Sequence, residues 1–178
     1  MYRLLAVFKQ NKIPMRKTII TQKKATLPHA LSGAASVDLD RLAQVWLTSE
    51  AEGYPIESAL LPDSEGEWRA GLSGEQIIRL VFDQPLTIRH IGLVFDEQAC
   101  SRTQEFVLRW SADNGEIHEI LRQQYHFSPP NTTSEVEQYT VNLPQLKRLE
   151  LTINPDMGNE NALASLKQLR LWQDDTGF

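Results

Sequence analysis

Apolar residues recur at every second position along several stretches of this chain. In 104–110, Phe106, Leu108 and Trp110 alternate with Glu105, Val107 and Arg109, a period of two that no helical stripe produces. In 88–95 the residues Ile91, Leu93 and Phe95 share one side, and IIRLVF at 77–82 runs into Asp83-Gln84-Pro85, whose residues read as a turn that ends a strand. Tyr139, Val141 and Leu143 alternate in one later strand, and Leu149, Leu151 and Ile153 in the next. Asp113-Asn114-Gly115 tolerates positive φ and predicts a hairpin return into 116–123. Leu166, Leu169 and Leu171 fit a last strand. Residues 42–48 fit a first one, although Asp38 can instead cap a short helix through Trp46. Eight short strands with polar punctuation predict an all-β fold, an eight-stranded antiparallel jelly-roll β-sandwich.

The connections predict where such a molecule works. If successive strands run up and down, four joins fall at one end, spanning roughly 49–76, 96–103, 124–135 and 154–164. The other end holds DQPLT, SADNG and LPQLK, each about five residues long. Short connections are what compact sandwiches prefer, and long ones are commonly functional. The Asn114-Gly115 turn therefore belongs to the quiet end, and binding is expected at the opposite pole.

Charge divides the chain. Residues 1–37 carry seven Lys or Arg and no acid, and residues 38–178 carry eleven bases against 23 acids, so +7 is followed by −12. A basic, flexible N-terminal extension over 1–37 is expected, then one domain over 38–178. An acidic body repels phosphate backbones, which leaves nucleic acid as a partner for the basic extension alone. No stretch approaches the roughly 20 apolar residues that span a bilayer. MYRLLAVFKQ is a poor secretory signal, and the single cysteine, Cys100, excludes an internal disulfide. A cytoplasmic protein is the expectation.

The order ALLPD at 59–63, Trp68-Arg69, IIRLVF with DQPLTIRHIGLVF, RTQEFVLRWS at 102–111 with Asp113-Asn114-Gly115, and ASLKQLRL at 164–171 resembles the discoidin, or coagulation-factor C-type, group of galactose-binding-like domains. The resemblance covers about residues 42–172. It implies an eight-stranded jelly roll that binds sugars, lipid headgroups or proteins through loops at one end. The terminal cysteine pair frequent in that family is absent, in keeping with a cytoplasmic member, and RQQYHFSPP at 122–130 resembles bacterial proteins of this kind.

Several side chains in the long connections suit a ligand. Trp68 offers an indole face for the C–H face of a sugar and Arg69 a guanidinium for hydroxyls or carboxylates. Against this, Trp68 can pin its loop to the barrel and Arg69 can pair with a nearby acid. Tyr125, His126 and Phe127, stiffened by Ser128-Pro129-Pro130, read either as a second aromatic rim or as loop anchors. Arg102 either projects into the pocket or makes a salt bridge. Asp156, Asn159, Glu160 and Asn161 present oxygen ligands suited to calcium but lack the spacing of a dedicated loop. The resemblance implies a structural calcium role for Asp63. No other cofactor is expected.

Catalytic patterns are weak. Gly71-Leu72-Ser73-Gly74-Glu75 lacks the final glycine of a nucleophile elbow. His29, His90, His118 and His126 show no metal-ligand spacing, and Glu65 and Glu67, which flank Gly66, read as exposed loop acids more readily than as a glycosidase pair. The sequence thus predicts a non-enzymatic module that binds a carbohydrate-type ligand at the long-loop end through Trp68, Arg69, Arg102, Tyr125, His126 and Phe127. The alternative is an assembly adaptor that docks a protein on the same loops.

Overall fold

A computed structural model of the protein describes residues 36–173. The basic extension, apart from its last two residues, lies outside the described residues. Two short helices, α1 (Leu39–Leu42) and α2 (Glu57–Leu60), accompany eight strands: β1 (Ala43–Leu47), β2 (Trp68–Ser73), β3 (Gln76–Asp96), β4 (Arg102–Ser111), β5 (Ile117–Phe127), β6 (Ser134–Asn154), β7 (Leu163–Leu166) and β8 (Gln168–Trp172). All pairings are antiparallel. Both readings of the first segment hold in part: the Asp38 carboxylate accepts the Arg41 amide at 3.3 Å and starts α1, and the chain turns extended at Ala43 to become β1.

The count of eight agrees with the sequence, but the strands are partitioned differently. The expected strands at 77–82 and 88–95 are two arms of one continuous strand, β3, and those at 139–143 and 149–153 are two arms of β6. These 21-residue strands pair with each other throughout, from Gln76 opposite Ile153 to Asp96 opposite Ser134. Straight, each would span roughly 70 Å, far beyond the width of a domain of this size. The ribbon must fold back, and it does so where the register shifts, between Val81 and His90 on β3 and the facing part of β6. Pro85 and Pro144 lie in this corner, where a missing N–H costs the ladder least, and Gln145 takes a positive φ of 55°. Two strands that the alternation did not reveal, β2 and β7, pair only with each other.

The fold-back makes the sandwich. The first arm of β3 and the second arm of β6 lie in a sheet ordered β1-β3-β6-β4-β5, while the second arm of β3 takes β8 as its other neighbour. Ile78, Leu80 and Phe82 of one arm and Ile91, Leu93 and Phe95 of the other meet Phe106, Leu108, Leu149, Leu151, Leu169 and Leu171 in a single buried cluster. Val37 extends the structure slightly upstream, its amide bonded to Leu171 O at 2.8 Å. No helix among the described residues is long and apolar enough to cross a membrane.

Two poles follow. The corner of the ribbon and the turn after Ser111, which pairs with Arg148, share one end. That turn closes as the sequence predicts, with Gly115 at φ 78° and its amide bonded to Ala112 O. The connections 48–67, 97–101, 128–133 and 155–162 leave from the other end, where β3 and β4 meet β6 at Asp96, Glu105 and Asn154 and β4 meets β5 at Arg102 and Phe127.

Candidate functional site

The first long connection is held by a polar hub at Gln76, which is almost wholly buried. Its carbonyl oxygen accepts hydroxyls from Thr48 (2.7 Å) and Ser49 (2.6 Å), and its amide donates to Leu72 O at 3.1 Å. The Ser49 hydroxyl in turn accepts the Gly71 and Leu72 amides, both at 3.1 Å. This draws the chain at Glu50 so close to β2 that a Cβ on residue 71 would sit 2.6 Å from Glu50 O, which is why that position is glycine. Ala51 N then donates to Arg69 O and Arg69 N to Tyr54 O, fixing Tyr54 beside Arg69. The guanidinium lies 4.8 Å from the centre of the Tyr54 ring. Arg69 also contacts Glu67 Oε1 through Nε at 2.7 Å and Nη2 at 2.6 Å. That pairing is the largest influence holding its pKa above the ordinary arginine value, and the charges of Glu67 and Glu97 add to it.

The second connection is organised by Glu97. One carboxylate oxygen accepts the amides of Ala99 (2.7 Å) and Cys100 (3.2 Å). The other lies 3.1 Å from Arg102 Nε, an ion pair without the alignment of a hydrogen bond. Arg102, 5% exposed, spends its remaining donors on Leu163 O (2.8 Å) and Ser165 Oγ (3.4 Å), and its guanidinium stands 5.9 Å above the Phe127 ring. It thereby ties β4 to β7. Burial pushes the Cys100 thiol up, and the Glu97 charge adds to the effect, so this thiol is poorly suited to act as a nucleophile.

These connections enclose a concave pocket of about 630 Å³, lined by residues 53–69, 96–102 and 156–167 in part. Tyr54 and Arg69 form an exposed platform on one side. Glu97 and Arg102 stand on another, and Asp156, Asn159 and Lys167 complete the rim. The volume lies in the range of small-molecule sites.

No family model matches the chain and no curated protein matches it. Solved structures do. A pectin-binding carbohydrate-binding module superposes with a TM-score of 0.55 at 16% identity, covering 76% of this chain and 94% of its own. The family 32 module of Clostridium perfringens NanJ, in complex with galactose, gives 0.56 at 14% identity, covering 74% and 93%. CpGH89CBM32-5 from the same organism, in complex with GalNAc-β-1,3-galactose, gives 0.58 at 13% identity, covering 78% of this chain and all of its own. The chain has the fold of these modules. The galactose-binding-like jelly roll expected from the sequence is therefore the observed one, although at these identities the likeness is one of fold.

Within this galactose-binding-like fold, only part of the expected residue set gathers. Arg69 and Arg102 line the pocket. Trp68 does not: its side chain is 0% exposed and pairs across the sheet with Leu166, so its indole is core. Adjacent residues on a strand point to opposite faces, and Trp68 and Arg69 are adjacent on β2, so only the arginine faces out. The same alternation dismantles the expected rim at 125–127, which is strand rather than loop. Phe127 is wholly buried under Arg102. Exposed His126 meets Thr103 Oγ1 at 3.0 Å, and neither lines the pocket. Tyr125 turns inward, edge-on to Phe127, and donates to Ser134 O at 3.4 Å.

Tyr125 belongs to a second polar cluster, away from the pocket, where β5 faces β6. Glu137 accepts from the Gln123 amide, Gln123 Oε1 accepts the Tyr139 hydroxyl at 2.7 Å, and Glu135 lies against both Glu137 and Tyr125. Burial, then the hydrogen bond and charge of Glu137, push Glu135 up to about 8. Tyr125 and Tyr139 are raised too, by burial and then by these carboxylates.

Of the calcium candidates, Asp156 and Asn159 line the pocket, and Glu160, Asn161 and Asp63 do not. Among the described residues no group of three or more His, Cys, Asp or Glu is placed to hold a metal ion. The residues that sequence reasoning missed are Tyr54, Glu97 and Lys167. Tyr54 had a signal, being an aromatic between Gly53 and Pro55 in the longest connection; Glu97 and Lys167 had none that distinguished them from other surface charges.

Proposed function

We propose that this chain is a non-catalytic carbohydrate-binding module that holds a sugar in the long-loop pocket, on the platform made by Tyr54 and Arg69. The observation that carries this reading is the concave shape of that pole. An exposed aromatic ring with a guanidinium fixed against it stands at the mouth of a 630 Å³ depression lined with hydrogen-bonding groups. A flat or convex rim would have favoured a protein partner. Sugar rings stack their C–H faces on such rings while the rim supplies donors and acceptors for hydroxyls. The shared fold with modules solved in complex with galactose and with GalNAc-β-1,3-galactose supports the same reading.

The pocket acids fit binding better than hydrolysis. Glu67 and Glu97 are each engaged by an arginine, which ties up the oxygens that a general acid or base would turn toward a substrate. Titration calorimetry with galactose, N-acetylgalactosamine and glucose tests the proposal. Heat of binding with at least one of them, lost in Tyr54→Ala while the melting temperature holds, is the expected result; no heat with any sugar overturns it.

A further inference from the structure

The pocket carries an unequal set of charges, and their pairing says which sugars it accepts. Its two arginines are both spoken for. Arg69 is bound to Glu67 and rests on Tyr54, and Arg102 is divided among Glu97, Leu163 O and Ser165 Oγ. Each guanidinium thus brings its own counter-charge, and the Nε/Nη2 edge of Arg69 is already taken by Glu67. What remains on the lining is Lys167 against Glu65, Asp96 and Asp156, which no ion pair among the described residues ties to a base. The unpaired balance is two negative charges in a concave space open to solvent.

Resting on the carbohydrate reading above, we infer that the pocket takes an amino sugar with a free, protonated amine in preference to a neutral sugar, and rejects uronic acids. An ammonium at the rim gains charge-assisted hydrogen bonds from carboxylates that have no cation of their own. A ligand carboxylate meets like charge and two arginines whose charge is already countered by Glu67 and Glu97, an arrangement that selects against wrong partners. One unit charge about 4 Å from another in a water-like medium changes affinity roughly five-fold, so each step in the series is expected to be of that size, shrinking as salt screens the rim.

The test is calorimetry of the full chain with galactosamine, galactose and galacturonic acid at about pH 6, well below the ordinary range for an amine of this kind, in low and in high salt. Galactosamine should bind roughly five-fold tighter than galactose, and galacturonic acid at least five-fold weaker, with both gaps narrowing in high salt. The double variant Glu65→Gln/Asp156→Asn, which keeps the side-chain oxygen that accepts the Gly158 amide, should abolish the preference for galactosamine over galactose. Galacturonic acid binding as tightly as galactose, or an amine preference untouched by the double variant, overturns the inference and leaves carbohydrate binding standing. Absence of binding by all three sugars overturns both.

Discussion

Replacing Arg170 by methionine probes how the pocket wall is supported. Arg170 sits on β8, 5% exposed, and donates to Ala59 O, Leu61 O and Leu169 O, each at 2.7 Å. Ala59 lies in α2 and Leu61 caps it, so a buried guanidinium holds carbonyls at the end of the helix that anchors the Tyr54 connection. Burial pulls its pKa down to about 10, so it stays charged at neutral pH. Methionine fills a similar volume without the donors. The Ala59 and Leu61 carbonyls then lose their partners at about 1–3 kcal/mol each, while release of a buried cation returns part of that cost. A net loss of about 3 kcal/mol follows, which for a domain of this length lowers the melting temperature by roughly 10 °C. Circular dichroism melts measure the shift, and hydrogen exchange should show the loss of protection concentrated in 51–67. A melting temperature within about 3 °C of the parent, or deprotection spread evenly over the sheets, would show that Arg170 does not hold this wall in place.

Three further outcomes are expected. Because the folded pKa of Glu135 is raised from 4.5 to about 8, its contribution is fully present below its unfolded value and is lost as pH rises through the folded one; urea denaturation should therefore show parent stability falling relative to Glu135→Gln between about pH 4.5 and 8, and parallel profiles would contradict a buried, protonated Glu135. Gly71→Ala places a Cβ 2.6 Å from Glu50 O, so it should cost about 1–3 kcal/mol and weaken sugar binding by displacing Tyr54, as calorimetry can show. Trp68→Ala empties a wholly buried site and should cost about 3–5 kcal/mol, losing binding only in proportion to unfolding in a thermal melt.

The layers of this fold were legible in its period of two, because one face of each sheet is buried and the alternation records it. The strand partition was not. A strand that bends through a proline-bearing corner and one that reverses at a turn leave the same trace, apolar alternation broken by Asp83-Gln84-Pro85 or by Pro144-Gln145. WRAGLS at 68–73 and LASL at 163–166 pair only with each other across a register shift, and so short a ribbon carries too little alternation to be read. Loop length placed the long connections at one pole, and the structure brings Arg69 and Arg102 into the pocket there. The aromatics were misassigned for one reason. Treating 68–69 and 125–127 as loop allowed neighbouring side chains to face the same way, whereas strand geometry sends Trp68 and Phe127 inward and leaves Tyr54 as the exposed ring.

Amide chemical-shift mapping during titration with galactose and galactosamine shows directly whether sugar binds at the long-loop pole. Perturbations should cluster at Tyr54, Arg69, Glu97, Arg102 and Asp156, with Asn114, Gly115 and the corner at 83–87 unmoved. Shifts centred on the Asn114-Gly115 turn, or none anywhere at saturating sugar, would contradict it.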